Sequence, residues 1–178
     1  MNITIFGWKR ENLTKYLKDC EEISQILAKQ NNNIFTGGGG GFMLAANKGC
    51  YVVNKNLSKA ISVKSIYGKE GVLNKYYNND NLIITNEMKE RKYKLIIDKD
   101  LFIFFPGGVG TIDEFTDLIT LYKTGELDRK PIILYGKFYW NSLKNWFYSN
   151  NIDFPNEYIC GIVDDVSEFF IIYNNIFK

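Results

Sequence analysis

The chain has 178 residues, 46% of them hydrophobic, with a formal net charge of +2 and no histidine. That length suits a single domain over 1–178 with a sizeable core, and so small a charge gives no field drawing the chain to nucleic acid or to a membrane surface. Without imidazole, Ser-His-Asp and Cys-His nucleophile pairs are excluded and the commonest zinc ligand is missing.

The first predicted element is a strand over Asn2–Phe6, running into Gly7. Leu13, Leu17, Cys20, Ile23, Ile26 and Leu27 recur at helical spacing and predict an amphipathic helix to about Lys29. After a turn at 31–33, the short strand Ile34-Phe35-Thr36 feeds five consecutive glycines, 37–41. A helix is predicted from Phe42 to Lys48, closed by Gly49 in the usual C-terminal position. Residues 50–53 and 61–66 read as strands, 68–80 as a surface loop or short helix, and Leu82–Thr85 as a strand. A helix over 87–98 carries Met88, Arg91 and Lys92. The strongest strand is the apolar run 101–105, followed by Pro106-Gly107-Gly108-Val109-Gly110-Thr111 and a helix over 112–123 that Gly125 ends. A buried strand over 131–135, an aromatic helix over 139–148, a strand near Ile159–Val163 and a helix from 164 or 165 to 176 complete the chain.

Strands alternating with helices predict an α/β fold: a Rossmann-like, doubly wound, mostly parallel sheet with helices on both faces. Such sheets bind ligands at the carboxyl ends of their strands. Both glycine-rich turns follow strands, so both open on that edge. The three cysteines, Cys20, Cys50 and Cys160, are scattered, which fits neither a disulfide framework nor a metal site. They read as reduced thiols of a cytoplasmic protein. The first residues lack the pattern of a signal peptide, and no apolar run approaches a membrane span.

The second glycine turn carries the chemistry. It lies where a buried strand ends and a helix begins, so unpaired backbone N–H groups and the positive end of the helix dipole suit a phosphate. Thr111 can add a hydroxyl, and Glu114 stands one turn into the helix. Asp113 reads as a helix-start charge. The dinucleotide fingerprint and the P-loop lysine are both missing, which argues against NAD binding and ATP hydrolysis.

Met88-Lys89-Glu90-Arg91-Lys92 followed by Pro106-Gly107-Gly108-Val109-Gly110-Thr111-Ile112-Asp113-Glu114 resembles the M-x-x-R-K and P-G-G-x-G-T-x-x-E pair of the Lonely Guy (LOG) family, long mislabelled as lysine decarboxylases. The stretch from Thr36 to Gly49 and the run from Lys130 to Trp140 resemble bacterial members. The resemblance implies hydrolysis of the N-glycosidic bond of nucleoside 5′-monophosphates, releasing base and ribose 5-phosphate. Cytokinin-activating members use N6-modified adenosine monophosphates, as cytokinin riboside 5′-monophosphate phosphoribohydrolases.

By the same resemblance, Arg91 and Glu114 are the catalytic positions, and Gly107, Gly108, Gly110 and Thr111 form the phosphate loop. Gly37, Gly38, Gly39, Gly41, Met88 and Lys92 fall at nucleotide-binding positions. No metal and no cofactor is implied, and a homodimer is. The aromatic set Phe138, Tyr139, Trp140, Trp146, Phe147 and Tyr148 reads as core or subunit interface.

Three departures concern base choice. Leu44 stands where relatives often have Glu, Gly40 where they have Pro, and Trp8 where a small serine-containing turn is common. An apolar surface at Leu44 favours an isopentenyl-type N6 substituent over plain AMP, by a modest margin. Two alternatives remain beside this reading: a broader purine or pyrimidine nucleotide 5′-monophosphate nucleosidase, and a non-catalytic nucleotide sensor.

Overall fold

Seven strands of four to six residues lie side by side in one sheet in the computed structural model, which describes residues 1–10, 13–67 and 73–178. They are β1 (Asn2–Phe6), β2 (Asn33–Thr36), β3 (Ser58–Val63), β4 (Leu82–Thr85), β5 (Leu101–Phe104), β6 (Ile132–Tyr135) and β7 (Ile159–Val163). Their order is β4-β3-β2-β1-β5-β6-β7, and every neighbouring pair is parallel. The helices are α1 (Thr14–Lys29), α2 (Phe42–Val53), α3 (Lys64–Tyr67), α4 (Met88–Ile96), α5 (Val109–Thr124), α6 (Lys137–Ser149) and α7 (Val166–Ile176).

A parallel strand covered on both faces needs apolar residues in consecutive positions, and β5 shows how they divide. Leu101 and Ile103 pack with Ile23, Leu27, Phe42 and Phe169, from α1, α2 and α7. Phe102 and Phe104 pack on the other face with Leu95, Phe115, Leu118 and Trp140, from α4, α5 and α6. The chain therefore builds outward from β1 to β4, then returns to pair β5 against the free side of β1. The carboxyl ends of β1 and β5 lie at that reversal, where α1 leaves to one face and α5 to the other. A crevice opens at such a switch point.

Several expectations change. The helix that was to close at Gly49 runs on to Val53, so the strand expected over 50–53 is the last turn of α2. Gly49 marks a helix crossing instead of a helix end. A Cβ there would stand 2.1 Å from the carbonyl oxygen of Glu21 in α1, an approach only glycine permits. The strand expected over 61–66 lies at Ser58–Val63, because β2 pairs from Ser58 and β4 pairs only as far as Val63. Residues 64–67 coil into α3. Of the segment 68–80, residues 68–72 lie outside the described residues, and Asn79–Asn81 forms a 3₁₀ turn. The first turn of α5 also starts earlier than expected, at Val109, which places Gly110 and Thr111 inside the helix.

Gly49→Ala tests the crossing. Alanine is the better helix former by about 1 kcal/mol, so a solvent-facing site would gain stability. Overpacking against the backbone of α1 costs about 1–3 kcal/mol, and the clash is with a carbonyl that cannot swing aside. The expected outcome is a melting temperature lowered by several degrees, read by circular dichroism. An unchanged or raised value would show that α1 and α2 do not pack this closely.

Candidate functional site

Both glycine turns meet at the crevice, around a cavity of about 310 Å³. Its floor is Ile5, Phe6 and Gly7 at the end of β1. One side is Gly108, Val109, Gly110 and Thr111, and the other sides carry Trp8, Lys9, Gly37 and Met43, with Arg91 and Glu114 facing them.

The helix-start side comes from α5. Ile112 N donates to Gly108 O at 3.1 Å, the first bond of the helix, so the N–H groups of Val109, Gly110 and Thr111 precede the intrahelical ladder. These residues line the cavity at the positive end of a sixteen-residue helix. The loop is shaped by close contacts. A Cβ at Gly107 would stand 2.1 Å from Thr111 Oγ1, and Tyr139 Oη donates to Gly107 O at 2.9 Å from α6.

Gly110 and Glu114 are four residues apart and share one face of α5, which is why the carboxylate looks into the same cavity as the helix start. Arg91 arrives from α4. Its Nη1 lies 3.3 Å from Glu114 Oε1, and each side chain is only 12% exposed. Nε of Arg91 donates to Ile61 O of β3 at 3.2 Å, and Nη1 also reaches the Met88 sulfur at 3.7 Å. A Cβ at Gly37 would stand 2.1 Å from Arg91 Nη2. The guanidinium thus fills the space that a side chain at residue 37 would take. Burial raises the Glu114 carboxyl to about 7, against the opposing pull of the Arg91 charge. Such a group exchanges protons near neutral pH, as a general base requires.

The first glycine turn is held from beneath by a buried polar network. Asn47 Oδ1 accepts from Thr36 Oγ1 at 2.6 Å and from Asn74 Nδ2 at 3.0 Å, while Asn47 Nδ2 donates to Ser58 Oγ at 2.9 Å. Asn74 also donates to Gly38 O and Gly39 O, at 3.0 and 2.9 Å. Asn47 and Asn74 were not singled out by the sequence. Their only sequence signal is an amide at a core-facing helix position and another beside a tyrosine-rich stretch.

Of the residues expected at the site, Arg91, Glu114, Gly37, Gly108, Gly110 and Thr111 line one cavity. Gly107 shapes the loop from behind. Gly38, Gly39 and Gly41 set the path of the first turn without lining the cavity, and Met88 touches Arg91. Lys92 turns away to Asp113 and Asp117, at 3.2 and 3.1 Å. Gly40 and Leu44 do not line the cavity, whereas Trp8 and Met43 do. The expected apolar surface for an N6 substituent therefore loses Leu44. Among the described residues no cluster of three or more metal-ligating side chains forms.

A family model described as "Possible lysine decarboxylase" matches residues 43–168. The chain belongs to this family, the LOG family that its paired motifs resemble. This LOG chain is 41% identical over 68 residues to the cytokinin riboside 5′-monophosphate phosphoribohydrolase of Mycobacterium tuberculosis, and 36% identical over 67 residues to that of Mycobacterium marinum. Each match spans 38% of the chain and only 36% of the relative. Solved structures of similar fold include the molybdenum cofactor binding protein of Rippkaea orientalis, with TM-score 0.69 and 19% identity over 99% of the chain and 97% of that protein. The molybdenum cofactor carrier protein of Chlamydomonas reinhardtii matches with TM-score 0.70 and 15% identity, over 99% and 98%. At such identities the likeness is one of fold.

Proposed function

We propose that this protein hydrolyses the N-glycosidic bond of nucleoside 5′-monophosphates, N6-modified adenosine monophosphates among them, to free base and ribose 5-phosphate. The observation that carries this is the Arg91–Glu114 pair, 3.3 Å apart and nearly buried, in the same cavity as the start of α5. The phosphate occupies the N–H groups of Val109, Gly110 and Thr111, which sets the ribose beside Glu114. As the C1′–N bond breaks, its electron pair leaves with the base and positive charge develops on the sugar. The Glu114 carboxylate stabilises that charge and takes a proton from the water that bonds to C1′. Arg91 holds the carboxylate in place, and the leaving base nitrogen takes up a proton. The named Mycobacterium relatives support the reaction class.

The molybdenum cofactor proteins share the fold, but a carrier needs no nearly buried carboxylate paired with an arginine beside the helix start, which favours the hydrolase. The remaining expectations form part of the same proposal. One domain over 1–178 is supported by the single sheet. A homodimer is supported by the exposed aromatics Phe138, Trp146 and Tyr148 on α6. A cytoplasmic location is supported by three free cysteines; among the described residues no helix is long and apolar enough to cross a membrane.

The test is to incubate the protein with AMP, N6-isopentenyl-AMP and adenosine, and to assay free base. The remote phosphate positions the sugar for reaction, so kcat/KM for adenosine should be at least ~100-fold below that for AMP. Equal rates on AMP and adenosine would remove the assigned role of the α5 start. With Leu44 outside the cavity, Met43 is an apolar side chain that remains there to favour the isopentenyl form over AMP, by a modest margin.

A further inference from the structure

The turn after β1 occupies an unusual place. Trp8 N donates to Pro106 O, and Trp8 O accepts from Phe42 N, both at 3.0 Å. One peptide segment therefore ties the second glycine turn to the first. Gly7 and Gly41 make that closeness possible. A Cβ at Gly7 would stand 2.7 Å from Phe42 Cβ, and one at Gly41 only 2.1 Å from Trp8 O. With its backbone fixed on both sides, Trp8 lines the cavity and packs partly against the core beside it.

The orientation of the indole decides what it can do there. The atom nearest to where a Gly108 side chain would stand is Trp8 Nε1, at 3.6 Å, with Cδ1 next at 3.9 Å. So the N–H edge of the ring, not its six-membered face, approaches the start of α5. Arg10 lies over the ring, its guanidinium carbon 4.6 Å from the centroid, a cation–π contact that steadies the ring. Trp N–H is a donor only. Trp8 Nε1 has no protein acceptor among the described residues. An N–H donor facing a helix start suits an anion, and it suits an aromatic base less well.

We propose that Trp8 is a specificity-determining residue that selects the phosphate end of the substrate. Its indole N–H donates to a phosphate oxygen on the side opposite the α5 backbone donors, with Arg10 steadying the ring. This rests on the phosphoribosyl reading of the site, and it assigns to Trp8 the anion rather than the base.

Trp8→Phe keeps an aromatic ring for Arg10, smaller by the fused ring, and removes the donor. Calorimetric titration with ribose 5-phosphate and, separately, with adenine reads the two ends of the site. Ribose 5-phosphate should bind the variant roughly tenfold more weakly, as expected for one hydrogen bond to a charged group, while adenine binding stays the same. In turnover, KM for AMP should rise by a similar factor with kcat nearly unchanged. An unchanged melting temperature shows that the variant is folded. If adenine weakens as much as ribose 5-phosphate, the ring is a base platform and the proposal is overturned. If neither changes, it is overturned as well, and AMP hydrolysis by the parent protein then leaves the function standing. If the parent binds no ribose 5-phosphate, both fall together.

Discussion

Glu114→Gln is expected to reduce AMP hydrolysis by at least ~100-fold, the scale of losing a positioned base or electrostatic group. Glutamine has the same shape and can still accept from Arg91, so the loss reports charge rather than collapse of the cavity. The same substitution should stabilise the fold at alkaline pH, and the sign follows from linkage. The folded carboxyl is raised to about 7 from an ordinary 4.5. Below the lower value both states are protonated, and the group's favourable contribution is fully present. That contribution is lost as pH rises through 7, where the folded chain must carry a buried charge. Glutamine does not titrate, so its advantage over the parent should widen between those values, reaching up to about 3 kcal/mol near pH 8. Thermal unfolding of both proteins at acid and alkaline pH measures the gap. Turnover of the parent should rise with pH through the same window and then level off. A variant that keeps near-normal rates would remove Glu114 from the mechanism.

Gly37→Ala is the second large effect, and it acts on Arg91 without touching it chemically. The added methyl would occupy the position of Nη2, so the guanidinium must leave its place between β3 and α5. Displacing it breaks the 3.3 Å pair with Glu114 and the bond to Ile61 O. Misplacement of a positioned group by about 1 Å can cost ~100-fold, so turnover should fall by about that factor. Residue 37 has no positive φ to strain, so any loss of stability reports the broken buried pair and not the backbone. Loss of stability with rates intact would show that the packing against Arg91 is not what glycine serves here.

These two positions also show what could be read from the chain. Arg91 and Glu114 are 23 residues apart, and it is the resemblance of their two motifs to the LOG pair that sets them together. The apolar run of β5 was legible because a strand buried on both faces has little choice of residue. Gly49 was misread for a physical reason: glycine after a helical run serves a helix end or a close helix crossing equally well, and only the neighbouring helix distinguishes them. Lys92 was drawn to the site by its neighbour, yet successive residues on a helix point about 100° apart. Arg91 therefore meets Glu114 while Lys92 meets Asp113 and Asp117. Asn47 and Asn74 escaped notice because a buried amide has no periodicity of its own. Trp8 stood out as a departure, but which edge of its ring faced Gly108 needed coordinates.

The double attachment of residue 8 separates two kinds of inherited change. Its main chain is committed to both glycine turns, so a residue gained or lost in that turn would disturb both walls of the cavity together. Its side chain carries no such obligation. Descendants of this chain could exchange the side chain at position 8 and drift toward other substrates while the Arg91–Glu114 pair keeps its geometry.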